Sequence, residues 1–185
     1  MDLLALLGST VVSDWLHRPT LRPMRDKLMK EIIEAPKGTI FKLEMTPIEL
    51  LNSSGVDEIL VKTMLWLREN KDQEKFLYLQ NLSSEEEYDH AYNIGKGLSE
   101  TDVSILVREE NGYQLLGSLG TKLVEVLDIV YKHKSVTARE VAEQLDKKLN
   151  LASTQLSDLY SMRLIERVEE LMPEGGRQFV YKSLF

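Results

Sequence analysis

The sequence predicts an α/β domain over residues 1–117, followed by a smaller domain over residues 118–185 with three helices and a β-hairpin. In the first domain, strand-like and helix-like hydrophobic patterns alternate, which predicts a sheet with helices packed on it. In the second domain, amphipathic helices precede two alternating strands. The charge also divides the chain: residues 1–120 contain 13 Lys and Arg against 20 Asp and Glu, and residues 121–185 contain ten of each.

The composition argues against several kinds of site. There is no cysteine, so neither disulfides nor thiolate metal sites are available. His17, His90 and His133 are scattered, and neither a phosphate-binding glycine loop nor a nucleophile elbow is present. We therefore expect a non-enzymatic protein without metal or cofactor. The apolar residues 3–7 are too few to span a bilayer and lack a basic start, so we expect a cytoplasmic protein with no membrane partner.

The chain begins with elements of differing clarity. Residues 3–7 suggest a short buried strand ended by Gly8, and residues 11–18 are ambiguous. Pro19 and Pro23 lie where the start of a helix tolerates proline. That helix continues at apolar spacing until Pro36.

A strand over residues 39–45 and a helix over residues 56–69 flank a polar turn. Ser53 or Ser54 lies at the helix start, where a hydroxyl can accept a hydrogen bond from a free backbone N–H. Residues 76–79 form the next predicted strand. Residues 83–87, Ser-Ser-Glu-Glu-Glu, have the features of a capped helix start, and we expect His90 on that helix to be partly exposed.

Residues 103–108 and 113–116 predict a hairpin around an Asn-Gly turn. Together with the earlier strand–helix–strand alternation, the hairpin predicts a mixed sheet, because it adds antiparallel pairing to parallel βαβ connections. Two acidic groups, Asp57 with Glu58 and residues 85–87, could act as paired carboxylates. Complementation of a helix dipole explains both groups without any catalysis.

The turn at residues 52–56, Asn-Ser-Ser-Gly-Val, resembles the motif of STAS domains, found in anti-sigma-factor antagonists and sulfate-transporter tails. In that family a strand leads into Asp-Ser-Ser/Thr-Gly-apolar-Gly, and a kinase phosphorylates the first serine. Asn52 and Asp57 depart from this pattern. The resemblance implies a protein or small-signal partner and a candidate phospho-switch at Ser53 or Ser54. A structural cap is the favoured alternative, because acidic residues already occupy the start of the helix.

The C-terminal third has the clearest pattern. Residues 123–131 form an amphipathic helix, and Thr137 with Glu140 predicts a capping box at the start of a second helix. A third helix follows through residues 153–160. Strands over residues 164–169 and 178–182 flank a loop at residues 173–177. Three helices followed by a hairpin constitute the winged helix-turn-helix arrangement.

Residues 119–185 resemble bacterial winged-helix regulators of the MarR and ArsR type. In those families the third helix enters the major groove, and the wing touches the backbone or minor groove. The resemblance implies phosphate contacts before the third helix, base or phosphate contacts on it, and one contact at the wing tip. These are Lys147 and Lys148, then Ser153, Thr154, Gln155 and Ser157, then Arg177.

Two functions remain open at this point. One is a DNA-binding transcriptional regulator whose STAS-like domain binds a protein or a small signal, with double-stranded DNA as its partner. A homodimer would double its few positive contacts. The other is a non-enzymatic adaptor, in which the winged helix docks a protein and not DNA. Its balanced charge favours this function, as does the lack of Arg or Lys on the third helix before Arg163. Asp158 on that helix would repel phosphate.

Overall fold

The computed structural model describes residues 1–85, 88–171 and 175–185, and the chain divides into the units Met1–Ser118 and Leu119–Phe185. Both units combine helices with β-strands. The helices of the first unit are α1 (Leu3–Leu7), α2 (Arg18–Glu34), α3 (Ser53–Val56), α4 (Lys62–Glu69) and α5 (His90–Leu98). Its strands are β1 (Asp14–Trp15), β2 (Ile40–Glu44), β3 (Leu50–Leu51), β4 (Phe76–Gln80), β5 (Ser84–Glu85), β6 (Tyr88–Asp89), β7 (Ser104–Glu109) and β8 (Gly112–Gly117).

The central sheet of the first unit has the order β2-β4-β7-β8. The β2–β4 and β4–β7 pairs are parallel, whereas β7 and β8 pair antiparallel. The predicted mixed sheet is therefore confirmed, as are the strands over residues 39–45 and 76–79 and the hairpin. Four of the five residues of β4 are buried, which is typical of a strand between two neighbours with both faces covered.

The predicted strand at residues 3–7 is wrong, because this segment forms α1. Asp2 caps the helix by accepting a hydrogen bond from the Ala5 N–H at 3.3 Å. Only the two residues before α1 reach the sheet, where the Lys42 N–H donates to the Met1 carbonyl at 2.8 Å. A short run of Leu and Ala does not distinguish a buried strand from a buried helix, and both residues favour the helix.

The predicted helix after β4 is present, but its predicted start near Ser83 is wrong. Residues 84–85 pair antiparallel with residues 88–89, and α5 begins only at His90. Asp89 caps α5 by accepting from the Tyr92 N–H at 2.9 Å. His90 is buried rather than partly exposed, and the helix continues through Gly95 to Leu98. The remainder of the predicted cap, residues 86–87, lies outside the described residues.

The second unit contains α6 (Thr121–His133), β9 (Ser135–Thr137), α7 (Ala138–Gln144), α8 (Leu149–Ser161), β10 (Glu166–Leu171) and β11 (Arg177–Lys182). Its sheet has the order β10-β11-β9, antiparallel throughout. The predicted capping box of Thr137 and Glu140 is confirmed, and the bonds from Thr137 lower the pKa of the Glu140 carboxyl. Strand β9 was not predicted. Of the predicted loop, residues 173–174 lie outside the described residues.

Candidate nucleic-acid interface

One groove of the second unit brings together two residues that the sequence analysis selected separately. Ser153 of α8 and Arg177 of β11 both line this groove, which has a volume of about 490 Å³. Both residues are exposed, and the side chain of Arg177 is 68% accessible. The remaining lining residues come from the start of α7, the start of α8 and β11: Thr137, Ala138, Arg139, Glu140, Leu149, Gln178, Phe179 and Tyr181.

The groove contains a second arginine that the sequence analysis did not select. Arg139 is exposed and lies in the first turn of α7, two residues after the capping Thr137. The capping box already placed Arg139 at the start of a short helix. Its proximity to α8 and the hairpin is a tertiary relationship, which no local pattern indicates.

The two predicted lysines differ in their surroundings. Lys148 is exposed and directly precedes the first residue of α8. Lys147, in contrast, forms an ion pair with Glu125 at 3.0 Å, and only 16% of its side chain is exposed. The predicted phosphate contact of Lys147 stays a prediction, and it would require Lys147 to leave its partner on α6.

Gln155 does not belong to the exposed face of α8, and its predicted role at base edges is wrong. Its side chain is buried, and Nε2 donates to the Lys122 carbonyl at 3.3 Å. Ala152, Leu156 and Leu159 are also buried, and their spacing defines the inner face of the helix. A glutamine beside polar residues resembles a surface position, and only the packing of α8 on α6 shows otherwise.

The other two predicted DNA contacts on α8, Thr154 and Ser157, are at least partly exposed to solvent. Thr154 is exposed, and its hydroxyl donates to the Asn150 carbonyl one turn earlier at 2.9 Å. Ser157 is half-buried. Ser153 is exposed and borders the groove.

Stacked side chains hold the hairpin of β10 and β11 against α8. The guanidinium carbon of Arg167 lies 4.3 Å from the ring centroid of Tyr160 on α8 and 4.3 Å from that of Phe179 on β11. Such cation–π contacts each contribute about 0.5–2 kcal/mol. Phe179, which borders the groove, is thus fixed relative to the helix.

The hairpin also carries acidic residues, which weaken its positive charge. Arg177 Nη1 lies 3.4 Å from the carboxylate of Glu169, and Lys182 Nζ lies 3.8 Å from that of Glu170. All four side chains are at least 38% exposed, so these pairs are weak and can be exchanged for another partner.

Large apolar side chains are exposed near the same groove. Leu149 at its rim is 52% exposed, and Phe179 is 45% exposed. On the hairpin, Leu171 reaches 81% exposure. This surface therefore combines cationic, acidic and apolar side chains.

In the first unit, Asn52 provides the cap that was expected from Ser53 or Ser54. Its Oδ1 accepts from the Gly55 N–H at 3.1 Å, so the serines are not needed for this bond. Ser53 is exposed and Ser54 is half-buried. Asp57 pairs with Arg18 at 3.1 Å, so its charge is partly neutralised.

The next acidic residue has basic partners too. Glu58 is fully buried on a π-helical turn, Asp57–Val61, and contacts Arg25 and Lys62. A buried carboxylate is retained only when paired. This environment indicates an ion-pair network that joins α2 to the helix after the turn, rather than the dipole complementation that the sequence suggested.

A second groove, of about 860 Å³, lies in the first unit where β4 and β7 end. Its lining is mostly polar and includes Ser83, Asp89, Arg108 and Gln114. In open α/β sheets, ligands commonly bind outside the carboxyl ends of parallel strands. No group of three or more histidine or carboxylate side chains within the described ranges is arranged to hold a metal ion.

No protein-family model matches the chain, and neither a curated protein nor a solved structure is significantly similar to it. Across residues 1–85, 88–171 and 175–185, no helix has both the length and the apolar character that crossing a bilayer requires.

Proposed function

We propose that the Leu119–Phe185 unit is a winged helix that binds duplex DNA through α8 and the β10–β11 hairpin. The order of its elements, α6-β9-α7-α8-β10-β11, supports this assignment. The observation that carries the proposal is the shared groove of Arg139, Ser153 and Arg177. We further propose that the Met1–Ser118 unit is a STAS-like domain that binds a protein or a small signal.

The chemistry of the groove suits a phosphate backbone beside a helix. Arginine keeps its positive charge at any physiological pH and donates in a fork that matches phosphate oxygens. Arg139 and Arg177 supply two such groups, and Lys148 adds a third cation at the start of α8. Ser153 can donate to a phosphate or a base edge.

Three cations make a small set, and they predict modest affinity with a measurable dependence on salt. For B-DNA, the slope of log K against log salt is about −0.9 per phosphate contact. Removing three contacts should therefore reduce the slope by about 2.7. A homodimer on two half-sites would double the contacts of one chain.

Fluorescence anisotropy of the full chain with a labelled duplex, titrated across salt, tests the proposal. The variant Arg139→Ala, Lys148→Ala, Arg177→Ala should bind more weakly and with a shallower slope. Its matched control replaces three exposed lysines that do not line the groove: Lys71, Lys96 and Lys132. Absence of binding by the folded protein at low salt, or equal loss in both variants, would overturn the proposal.

A second candidate function is docking of a protein partner, which the exposed apolar side chains favour. Leu149 and Phe179 border the groove, and an apolar centre with an arginine rim is typical of protein interfaces. This function predicts no salt-dependent DNA binding. It also predicts that Phe179→Ser releases a protein that co-purifies from the native host, while Lys132→Ala retains it.

Phosphorylation of Ser53 or Ser54 stays a prediction from the STAS resemblance. The exposure of Ser53 gives a kinase access to its hydroxyl. Intact-mass analysis of protein purified from the native host tests the prediction, because each phosphate adds about 80 Da, the mass of the group that phosphorylation introduces. An unmodified mass under all growth conditions would contradict it.

A further inference from the structure

We propose that Leu171 and Arg177, the pair that ends the β10–β11 ladder, enter the minor groove, and that Leu171 wedges between two base pairs and bends the duplex. This inference rests on the proposed DNA-binding function and adds a specific mode to it. DNA-bending proteins commonly combine a cation in the minor groove with an apolar wedge such as leucine.

The exposure of Leu171 is the first observation. At 81%, it exceeds that of every other large hydrophobic residue within the described ranges. Leu171 is also the last residue of β10. A wedge must be accessible to the DNA, and the exposure of Leu171 meets that condition.

The strand register supplies the second observation. Leu171 pairs directly with Arg177, and Glu169 pairs with Phe179. Directly opposed residues share one face of an antiparallel sheet, and alternate residues along a strand share it too. One face of the hairpin therefore presents Leu171 beside Arg177, followed by Phe179 beside Glu169.

The third observation is the rigid base of this face. Arg167 is stacked against both Tyr160 and Phe179, which ties the hairpin to α8. Unstacking one base step costs a few kcal/mol, so a wedge must be held in place by its support. The stacked arginine provides that support.

The expected target follows from the same chemistry. A narrow A·T-rich minor groove has an enhanced negative potential that attracts arginine, and TA steps unstack most easily. We therefore expect Arg177 to favour A·T-rich sites and Leu171 to enter at a pyrimidine–purine step.

The test uses the full chain with a duplex of about 30 base pairs, A·T-rich with a central TA step and labelled at both ends for energy transfer. Binding of the wild-type chain should raise the transfer, corresponding to a bend of about 20–90°. Leu171→Ser should bind with the same salt slope but without the bend. Val168→Ser is the matched control, because Val168 is exposed on the opposite face of the same strand.

The outcomes separate this inference from the function on which it rests. Salt-dependent binding without a change in energy transfer would overturn the proposed insertion of Leu171 and leave the DNA-binding proposal intact. Bending that Leu171→Ser retains would overturn the wedge as well. No binding at low salt would overturn both proposals. Loss of bending in Leu171→Ser alone, with Val168→Ser unaffected, would support the wedge.

Discussion

The side-chain amide of Asn52 donates from Nδ2 to the carbonyl oxygen of Leu16 at 3.1 Å. The oxygen of the same amide accepts from the Gly55 N–H at 3.1 Å. One side chain therefore caps the helix and ties it to the segment that follows β1. An aspartate could form the second bond but not the first, which gives a physical reason for asparagine where the STAS motif has aspartate.

Replacing Asn52 by aspartate should lower the free energy of unfolding by about 1–3 kcal/mol at neutral pH. The substitution removes the donor and sets a carboxylate against the Leu16 carbonyl. Urea unfolding of the two proteins measures the difference. The deficit should narrow as the pH falls towards about 4, where the carboxyl gains a proton that it can donate. Equal stability of the two proteins at neutral pH would show that the bond from Asn52 to the Leu16 carbonyl does not explain the asparagine.

Gly55 should tolerate no side chain, because a Cβ atom at this position would collide with neighbouring backbone. A Cβ at this position would lie 2.0 Å from the Trp15 carbonyl oxygen, and backbone cannot move aside cheaply. We expect Gly55→Ala to cost at least about 3 kcal/mol of unfolding free energy.

Gly95 provides the matched control, because it is also helical and a Cβ there meets nothing within 4 Å. Gly95→Ala should stabilise the protein by about 0.5–1 kcal/mol, since alanine loses less backbone entropy in a helix. Thermal or urea unfolding measures both variants. A similar effect of the two substitutions would show that the contact with Trp15 does not limit Gly55.

The strands and helices with long, regular patterns were predictable because their periodicity reflects burial directly. The strand over residues 39–45 is an example, because its sequence alternation matches its burial. The apolar run at residues 76–79 and the capping box of Thr137 were predictable from other local signals. At residues 83–87, however, the cap signal was misleading: residues 84–85 pair with 88–89, and Asp89 serves as the cap instead. Several residues there can cap a helix, and only tertiary pairing selects among them.

The candidate site was predictable only in part, because it is assembled from distant segments. Ser153 and Arg177, which the fold resemblance indicates as DNA contacts, line one groove, and their contact with DNA stays a prediction. The exposed position expected of Gln155 was wrong because its burial against α6 depends on how helices pack. The ion pair of Lys147 with Glu125 depends on the same packing. The exposure of Leu171 could not be predicted from hydrophobic alternation, because this residue is the last of its strand.

His90 should make the stability of the first unit depend on pH. Its Nδ1 accepts from the Ser83 N–H at 3.1 Å, so the neutral ring carries its proton on Nε2, 3.5 Å from the Glu49 carbonyl. Burial lowers the pKa of His90, with smaller opposing effects of the Glu49 carbonyl and of Asp89. The unfolded state therefore binds a proton at a pH where the folded state does not.

Stability contributed by neutral His90 should be present above about pH 6.5 and decrease as the pH falls below it, by at most about 1.4 kcal/mol per pH unit. His90→Asn retains an acceptor for Ser83 but does not titrate. Urea unfolding between pH 7.5 and 5.5 should show a steeper loss for the wild type. The other histidines are common to both proteins, so parallel pH profiles would exclude His90 as the cause.

Under the proposed DNA-binding function, Glu169 should weaken DNA binding, because its carboxylate lies 3.4 Å from Arg177 on the hairpin face that borders the groove. On DNA this carboxylate would compete with phosphate for the guanidinium and repel the backbone. Exposed ion pairs contribute about 0.2–1 kcal/mol, so Glu169→Gln should tighten binding by up to about fivefold. Anisotropy titrations at constant salt measure the change.

Glu170→Gln is the matched control. This substitution removes the same negative charge from the opposite face of β10, where Glu170 lies near Lys182. A general change in net charge would affect both variants equally, because long-range repulsion depends little on the face of the strand. A gain specific to Glu169→Gln, absent when Arg177→Ala is added, would assign the effect to release of Arg177. Weaker binding of Glu169→Gln would instead show that Glu169 orients Arg177 productively, contrary to our expectation.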